Sequence, residues 1–219
     1  DAIAENEDAR LIILQGSGKA FCAGHDLKEM IAKREETYYK SLFQQCSRMM
    51  MTLNKIPQPV IARVHGIATA AGCQLVGACD LAVASEDARF ATSGINVGLF
   101  CSTPSVPVSR NIPRKQAMEL LLTGEFIDAN TALKWGLINR IAPLEKLDEE
   151  VQKLADAILS KSSVAVFTGK KMFYKQLEKN MEDAYAFAGE IMACNMMAED
   201  VNEGIDAFVK KRTAVWKGR

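Results

Sequence analysis

The chain has 219 residues, of which 48% are hydrophobic and 25% charged, so it is long enough to bury a sizeable core. These proportions exclude disordered, collagen-like and coiled-coil proteins. Lys plus Arg and Asp plus Glu both number 27, so no net charge attracts the chain to nucleic acid or to an anionic membrane. The 6 cysteines show neither Cys-x-x-Cys pairs nor the density of a disulfide scaffold, which favours a reducing compartment.

The first ten residues, DAIAENEDAR, are typical of the end of a helix that runs into a strand. We therefore expect this sequence to begin inside a longer chain, with any targeting segment upstream. No signal peptide is visible at Asp1, and no apolar run approaches the roughly 18 residues that would indicate a membrane span.

Three short apolar runs predict buried strands, namely LIILQG after Arg10, VIARVHG and DLAVAS. A helix is predicted between the first two, from about Glu36 to Lys55, because apolar side chains recur there at helical spacing until Pro57 and Pro59 stop it. Strands that alternate with helices favour an α/β fold whose largely parallel strands are buried on both faces.

The sequence beyond Phe100 is mainly helical, with one further strand candidate, LINRIA. Helices are predicted from about Lys146 to Arg212, with Asp148 as an N-cap and Gly136 as a helix stop. The segment FAGEIMACNMMAEDVNEGIDAFVKK carries more apolar surface than one helical layer buries easily, which indicates either a subunit interface or a second core layer in the monomer. An apolar stripe at helical spacing is formed by Val151, Leu154, Ala155, Ile158 and Leu159.

The glycine-rich segment LIILQGSGKAFCAGHDL follows a strand, but it is not a nucleotide-binding loop. Phe21 stands where a dinucleotide fingerprint needs its third glycine, and the pattern GxxxxGK[ST] is absent. Asp26 is predicted to cap a helix at DLKEM, with Glu29 as its capping-box partner. The backbone N–H of His25, just before that helix, is placed to bind an anion or a polarised carbonyl.

The segment HGIATAAG repeats this pattern, because small residues lead into a helix predicted to start at about Ala71. Two helix N-termini beside two strand ends can direct two N–H groups at one oxygen. Close packing of helices also demands Ala and Gly, so this pattern alone leaves both interpretations open.

Four segments, in this order and spacing, resemble the enoyl-CoA hydratase/isomerase (crotonase) superfamily. They are GKAFCAGHDLKEM, PVIARVHGIATAAGCQLVGACDLAVASEDARFATSGINVGL, LLLTGEFIDANTALKWGLINRIAP and GIDAFVKKR. Within the superfamily, ATAAGCQL and NVGLFCSTP resemble the enoyl-CoA hydratase domain-containing protein 3 group. The resemblance implies a crotonase-type spiral of ββα units over residues 1–142, without the family's first segment, and a helical trimerisation region over residues 143–219.

The resemblance also implies an acyl-CoA thioester as ligand and a homotrimer or dimer of trimers as the assembly. The backbone N–H groups of His25 and Ala71 would form an oxyanion hole. Coenzyme A is part of the substrate, so neither a separate cofactor nor a metal is expected. The positions that the resemblance assigns to coenzyme A are Ala23, Lys28, Phe208 and Lys211, the last two from a neighbouring subunit.

Both catalytic glutamates of the hydratases are replaced, because Gln74 stands in GCQL for the family's GCEL and Gly94 in SGINVG for PEINLG. Hydration needs a base and an acid, each of which contributes roughly 10² to 10⁴ in rate. An amide exchanges no proton near neutral pH, so Gln74 is expected only to orient a water or a carbonyl. Gly94 is expected to serve backbone freedom.

Three hypotheses follow, of which the first is an acyl-CoA lyase, decarboxylase or hydrolase that works through an enolate in the oxyanion hole, with Gln74 positioning water. The second is a weak enoyl-CoA hydratase of fatty acid metabolism, and the third is a non-catalytic acyl-CoA binding protein. The expected location is the cytoplasm in a bacterium or the mitochondrial matrix in a eukaryote. Candidate assisting groups are His25, Ser93, Cys101, Ser102 and Thr103.

Overall fold

The structure is a computed structural model that describes residues 3, 6 and 8–219. The helix end predicted within residues 1–10 therefore lies largely outside the described residues. The strands are β1 Ile12–Gln15, β2 Ala20–Cys22, β3 Val60–Val64, β4 Ile67–Thr69, β5 Leu81–Ser85, β6 Arg89–Ala91, β7 Ile127–Asp128 and β8 Arg140–Ala142. The helices are α1 Leu27–Ala32, α2 Glu36–Lys55, α3 Ala71–Ala78, α4 Ser102–Asn111, α5 Arg114–Thr123, α6 Ala129–Trp135, α7 Leu147–Leu159, α8 Ser163–Gln176, α9 Met181–Asn195 and α10 Glu199–Val209, with 3-10 helices at Ser93–Val97 and Leu144–Lys146.

The strands form two four-stranded sheets, in the orders β1-β3-β5-β8 and β2-β4-β6-β7. Successive strands alternate between the two sheets as far as β6, so each ββα unit contributes one strand to each sheet. The pairs β3–β5, β5–β8, β2–β4 and β4–β6 are parallel, and β6–β7 is antiparallel. The largely parallel α/β fold is thus confirmed, and the apolar runs at β3 and β5 are explained because both strands are almost fully buried.

The chain divides into two compact units. The first, which we call the sheet unit, comprises Ile13–Leu53 and Val60–Gln152. The second, which we call the helical unit, comprises Asp1–Ile12, Asn54–Pro59 and Lys153–Arg219. The division expected between residues 142 and 143 remains a prediction.

Most helix boundaries agree with the sequence analysis. The helix α2 covers Glu36–Lys55 as predicted, and Gly136 ends α6 with a left-handed φ of 90°. The N-cap at Asp26 is confirmed, because its carboxylate accepts hydrogen bonds from the amides of Lys28 and Glu29 at 2.8 and 3.2 Å.

Two details of capping differ from the expectation. Glu29 does not complete the capping box with its carboxylate, which instead accepts hydrogen bonds from Lys33 and Tyr38. The N-cap predicted at Asp148 is wrong, because α7 begins at Leu147 directly after a 3-10 helix and the chain is already helical there. The Asp148 carboxylate pairs instead with Arg63 of β3, and this bond lowers its pKa.

Candidate active site

Two loops meet where β2 leads into α1 and β4 leads into α3. Gly24, in the first loop, has a φ of +95°, and a Cβ added to it would lie 3.1 Å from the Cβ of Ala70 and 3.3 Å from the amide nitrogen of Ala71. Only glycine suits both this φ and this approach. The close contact brings the peptide groups next to Gly24 beside the first turn of α3.

The two amides expected to form an oxyanion hole have no hydrogen-bond acceptor within the described part of the chain. His25 precedes α1, and Ala71 is the first residue of α3, where a helix leaves its N–H groups unpaired. Neighbouring amides are used, because Ala70 donates to the carbonyl of Ala91 at 3.0 Å and Gln74 donates to the carbonyl of Ala70 at 3.1 Å. Both N–H groups are therefore available to a ligand, although their role remains a prediction.

Ala70 carries backbone strain immediately before the second amide. Its φ of 51° with ψ of −118° is a combination that a residue with a Cβ rarely adopts. Such strain costs on the order of 1 to 3 kcal/mol and is concentrated at functional sites. The strained peptide leads directly to the amide of Ala71.

We expect Ala70→Gly to raise the free energy of unfolding by about 1 kcal/mol. Glycine relieves the strain at this position, and this gain exceeds the backbone entropy that the glycine costs on folding. Urea denaturation with a constant slope measures the change. Ala157→Gly, in the exposed face of α7, is the matched control and is expected to lose about 1 kcal/mol. Equal losses in both variants would contradict the strain at Ala70.

The two loops open onto a cavity of about 300 Å³ within the sheet unit. This volume lies at the lower end of the range typical of small-molecule sites, roughly 300 to 1,000 Å³. The first turn of α4 and the segment between β6 and α4 complete its wall. The described lining residues are Ala23, His25, Leu27, Met30, Phe43, Ala70, Ala71, Ser93, Gly94, Val97, Leu99, Phe100, Cys101, Ser102, Thr103 and Pro104.

The cavity wall carries no carboxylate, lysine or arginine among these described residues. Burial lowers the pKa of His25, so its imidazole is neutral at pH 7, and the ring packs edge-on against Phe43 with centroids 5.7 Å apart. Burial raises the pKa of the Cys101 thiol, although the amide of Gly94 donates to its sulfur at 3.3 Å. Near neutral pH the described wall therefore holds no charged side chain.

Several predicted site residues meet in this cavity. Ala23, His25, Ala71 and Gly94 all line it. Four further candidates, Ser93, Cys101, Ser102 and Thr103, also lie on the wall. No cluster of three or more His, Cys, Asp or Glu side chains that could hold a metal occurs among residues 3, 6 and 8–219.

Four predicted positions are not on the described wall. Gln74 is only 3% exposed, and its Oε1 accepts a hydrogen bond from the thiol of Cys46 at 4.0 Å. Lys28 is exposed on α1. Phe208 and Lys211 are exposed in the helical unit, so their proposed contact with coenzyme A of another subunit remains a prediction.

Gly94 is held by close contact rather than by backbone freedom. Its φ is not in the left-handed region, so the expectation of special backbone freedom is wrong. A Cβ at this position would lie 2.5 Å from the carbonyl oxygen of Leu99 and 2.8 Å from the sulfur of Cys101. A glutamate therefore has no room here without movement of the backbone at Leu99.

Sequence reasoning did not find the apolar part of the wall. Two signals were present, the i, i+3 pair Leu27 and Met30 after His25 and the segment VGLF, without a polar residue, shortly after Gly94. The apolar lining residues that were missed are Leu27, Met30, Phe43, Val97, Leu99, Phe100 and Pro104.

A spiral of ββα units followed by a helical C-terminal region is the arrangement that the sequence resemblance implied. The sequence profile of the enoyl-CoA hydratase/isomerase family matches residues 1–219, and the chain belongs to this family. It is 49% identical over 213 residues to enoyl-CoA hydratase domain-containing protein 3, mitochondrial, of Rattus norvegicus, covering 97% of this chain and 71% of that protein. The Homo sapiens protein of the same name is 47% identical over 213 residues, covering 97% and 70%.

Solved structures confirm the crotonase-type fold. The crystal structure of human enoyl Coenzyme A hydratase domain-containing protein 3 superposes with a TM-score of 0.93 at 47% identity, covering 97% of this chain and 84% of that chain. An enoyl-CoA hydratase of Mycobacterium smegmatis superposes with a TM-score of 0.97 at 55% identity, covering 98% and 84%. The resemblance to the domain-containing protein 3 group is thus confirmed.

Proposed function

We propose that the protein binds an acyl-CoA thioester in the cavity and stabilises its enolate through the amides of His25 and Ala71. The observation that carries this proposal is that the amides of His25 and Ala71, two residues that line an apolar cavity, have no hydrogen-bond acceptor among the described residues. Two N–H donors fixed before reaction stabilise negative charge on a thioester oxygen as that charge develops. An acyl chain would pack on the apolar wall.

The reaction that best fits an uncharged wall is one that needs no enzyme carboxylate. In the decarboxylation of a malonyl-type thioester, the bond from C2 to the carboxylate breaks and CO₂ leaves. The electron pair moves into the enolate, whose oxygen is held by the two amides, and a proton from water then reaches C2. Hydrolysis is the second reaction of this class, and its tetrahedral oxyanion would occupy the same donors.

The alternatives are a weak enoyl-CoA hydratase and an acyl-CoA binding protein without turnover. Incubation with malonyl-, crotonyl- and acetyl-CoA, followed by chromatography of the products, separates them. Loss of CO₂ or release of free coenzyme A supports the proposal, and hydration of crotonyl-CoA alone supports the weak hydratase. Binding of all three thioesters without any product would support a non-catalytic role.

Binding of an acyl-CoA is itself a testable expectation. Titration calorimetry with acetyl-CoA should detect saturable heat at millimolar ligand or below, since the amides and the cavity are formed in the free protein. A folded protein that gives no heat and shows no competition by acetyl-CoA against a fluorescent acyl-CoA would contradict all three functions.

We also propose a trimer or a dimer of trimers. In the helical unit, the apolar side chains of Met181, Tyr185, Met192 and Phe208 are 71% to 85% exposed, which is more than a monomer usually leaves in water. Light scattering of dilute protein should give three or six times the chain mass. A monomer mass would contradict both this assembly and the assignment of Phe208 and Lys211 to a shared coenzyme A site.

None of the helices in the described part of the chain has the length and hydropathy needed to cross a bilayer. The vertebrate relatives carry the word mitochondrial in their names. For this chain we propose the mitochondrial matrix if it is eukaryotic and the cytoplasm if it is bacterial.

A further inference from the structure

A hydroxyl pair joins the ends of the two strands that lead to the active site. Thr69 ends β4, just before Ala70, and Ser93 follows β6, just before Gly94. Their side-chain oxygens are 2.7 Å apart, and the hydroxyl of Thr69 also lies 3.3 Å from the carbonyl oxygen of Ala91. Ser93 is one of the residues that line the cavity.

The proton of each hydroxyl can be assigned from these contacts. A hydroxyl has one proton, so Thr69 cannot donate to both Ala91 and Ser93. Both contacts are hydrogen bonds only if Ser93 donates to Thr69 and Thr69 donates to the carbonyl of Ala91. In this order Ser93 offers only lone pairs, which can accept a hydrogen bond from a ligand or a water.

The carbonyl of Ala91 also holds Ala70, the residue with the strained backbone. The oxygen of Ala91 accepts the amide of Ala70 at 3.0 Å as well as the hydroxyl of Thr69. Thr69 and Ala91 are paired in the parallel ladder of β4 and β6, so the carbonyl is fixed from the sheet side too. The chain of bonds from Ser93 through Thr69 and Ala91 thus ends on the peptide immediately before the amide of Ala71.

We propose that Thr69 and Ser93 are positioning residues, which hold Ala70 in its strained conformation and thereby aim the N–H of Ala71 at the thioester oxygen. This inference rests on the proposed function. A residue at positive φ keeps that conformation only where its surroundings over-determine it, and the Ala91 carbonyl with its two donors provides that restraint. The pair acts through the backbone and need not touch the substrate.

The test measures the carbonyl stretch of bound acetyl-CoA labelled with ¹³C at the thioester carbon, by difference infrared spectroscopy. Two aimed N–H donors polarise the carbonyl and shift its stretch to lower frequency than in free acetyl-CoA. We expect Thr69→Val, which keeps the shape and removes the hydroxyl, to lose most of this shift, and Ser93→Ala to lose part of it. Thr69→Ser restores the hydroxyl and should keep the wild-type shift.

Two controls distinguish a change in the direction of the Ala71 amide from a general loss of folded structure. Thr123→Val removes an exposed hydroxyl from α5 that donates to the carbonyl of Glu119, and it should leave the shift unchanged. Affinity for free coenzyme A, which has no thioester carbonyl, should be the same in Thr69→Val and in the wild type. A misfolded variant would lose coenzyme A affinity together with the shift.

The outcomes distinguish this inference from the function on which it rests. A wild type that binds no acetyl-CoA, or binds it without any shift, would overturn the oxyanion hole and this inference with it. A wild-type shift that persists in full in Thr69→Val and Ser93→Ala would overturn only the positioning role. Loss of the shift in Thr69→Val with its recovery in Thr69→Ser supports that role.

Discussion

Purified wild-type protein is expected to hydrate crotonyl-CoA at least about 10³-fold more slowly than a family member that carries both glutamates. Each missing acid–base group is worth roughly 10² to 10⁴ in rate, and groups that act as a unit lose less than the product of their separate effects. The described cavity wall holds no carboxylate that could replace them. Absorbance of the enoyl thioester follows the reaction, and the comparison protein is a family member whose sequence carries both glutamates.

A turnover typical of efficient hydratases would contradict this expectation. Some other group at the wall would then have to move the protons, and His25 is the first candidate because burial keeps its imidazole neutral at pH 7. The rate of His25→Ala would decide this, because loss of a general base costs roughly 10² to 10⁴.

Restoring the glutamates is not a simple gain of function in this chain. The side chain of Gly94→Glu meets the Leu99 carbonyl and the Cys101 sulfur, and Gln74→Glu puts a carboxylate into a nearly fully buried position beside Cys46. Overpacking costs typically 1 to 3 kcal/mol, and a buried unpaired carboxylate adds to that cost. We therefore expect the double variant to lose stability rather than to gain hydratase activity.

Thermal melting of two alanine variants isolates the close contact at Gly94. Gly94→Ala should lower the melting temperature, because its Cβ alone creates the conflict with Leu99. The added Cβ of Gly169→Ala, in the middle of α8, meets no described atom within 4 Å outside the backbone of its own helix, so this variant should raise the stability by about 0.5 to 1 kcal/mol. A Gly94→Ala variant as stable as Gly169→Ala would contradict the tight packing.

The contrast between His25 and Gln74 shows how far sequence reasoning reaches in this molecule. The loop at His25 was predictable because backbone donors depend on local features, namely a glycine, a helix N-cap at Asp26 and a preceding strand. The surroundings of Gln74 were not predictable. The direction of the Gln74 side chain depends on how α3 packs against Cys46 of α2, which is 28 residues away in sequence.

Gly94 is a second position whose surroundings could not be predicted from the sequence. The sequence indicates that a glutamate is missing, but it cannot tell positive φ from close approach as the reason for glycine. That reason lies in the carbonyl of Leu99 and the sulfur of Cys101, which the turn after the 3-10 helix brings back to this position. The core strands β3 and β5 needed no such information, because a continuous apolar run already indicates burial on both faces.

The second large effect is expected from removing a single backbone N–H. The variant His25→Pro lacks both the amide proton and the imidazole, whereas His25→Ala lacks only the imidazole. One oxyanion donor is worth on the order of 10² to 10³ in rate. We expect His25→Pro to lose that factor in kcat for the thioester that the wild type turns over fastest, and His25→Ala to lose far less.

The two variants distinguish a role of the His25 amide from a role of its imidazole, because only His25→Pro removes the amide proton. If the amide holds the oxyanion, only His25→Pro loses the infrared shift of bound acetyl-CoA, and the ring can be dispensed with apart from its edge-on contact with Phe43. Equal losses of kcat in both variants would instead assign the effect to the imidazole. Should proline prevent folding, a semisynthetic chain with an ester in place of the Gly24–His25 amide removes the N–H while keeping the side chain. That chain should lose the same 10² to 10³, and full activity in it would contradict the donor role of His25.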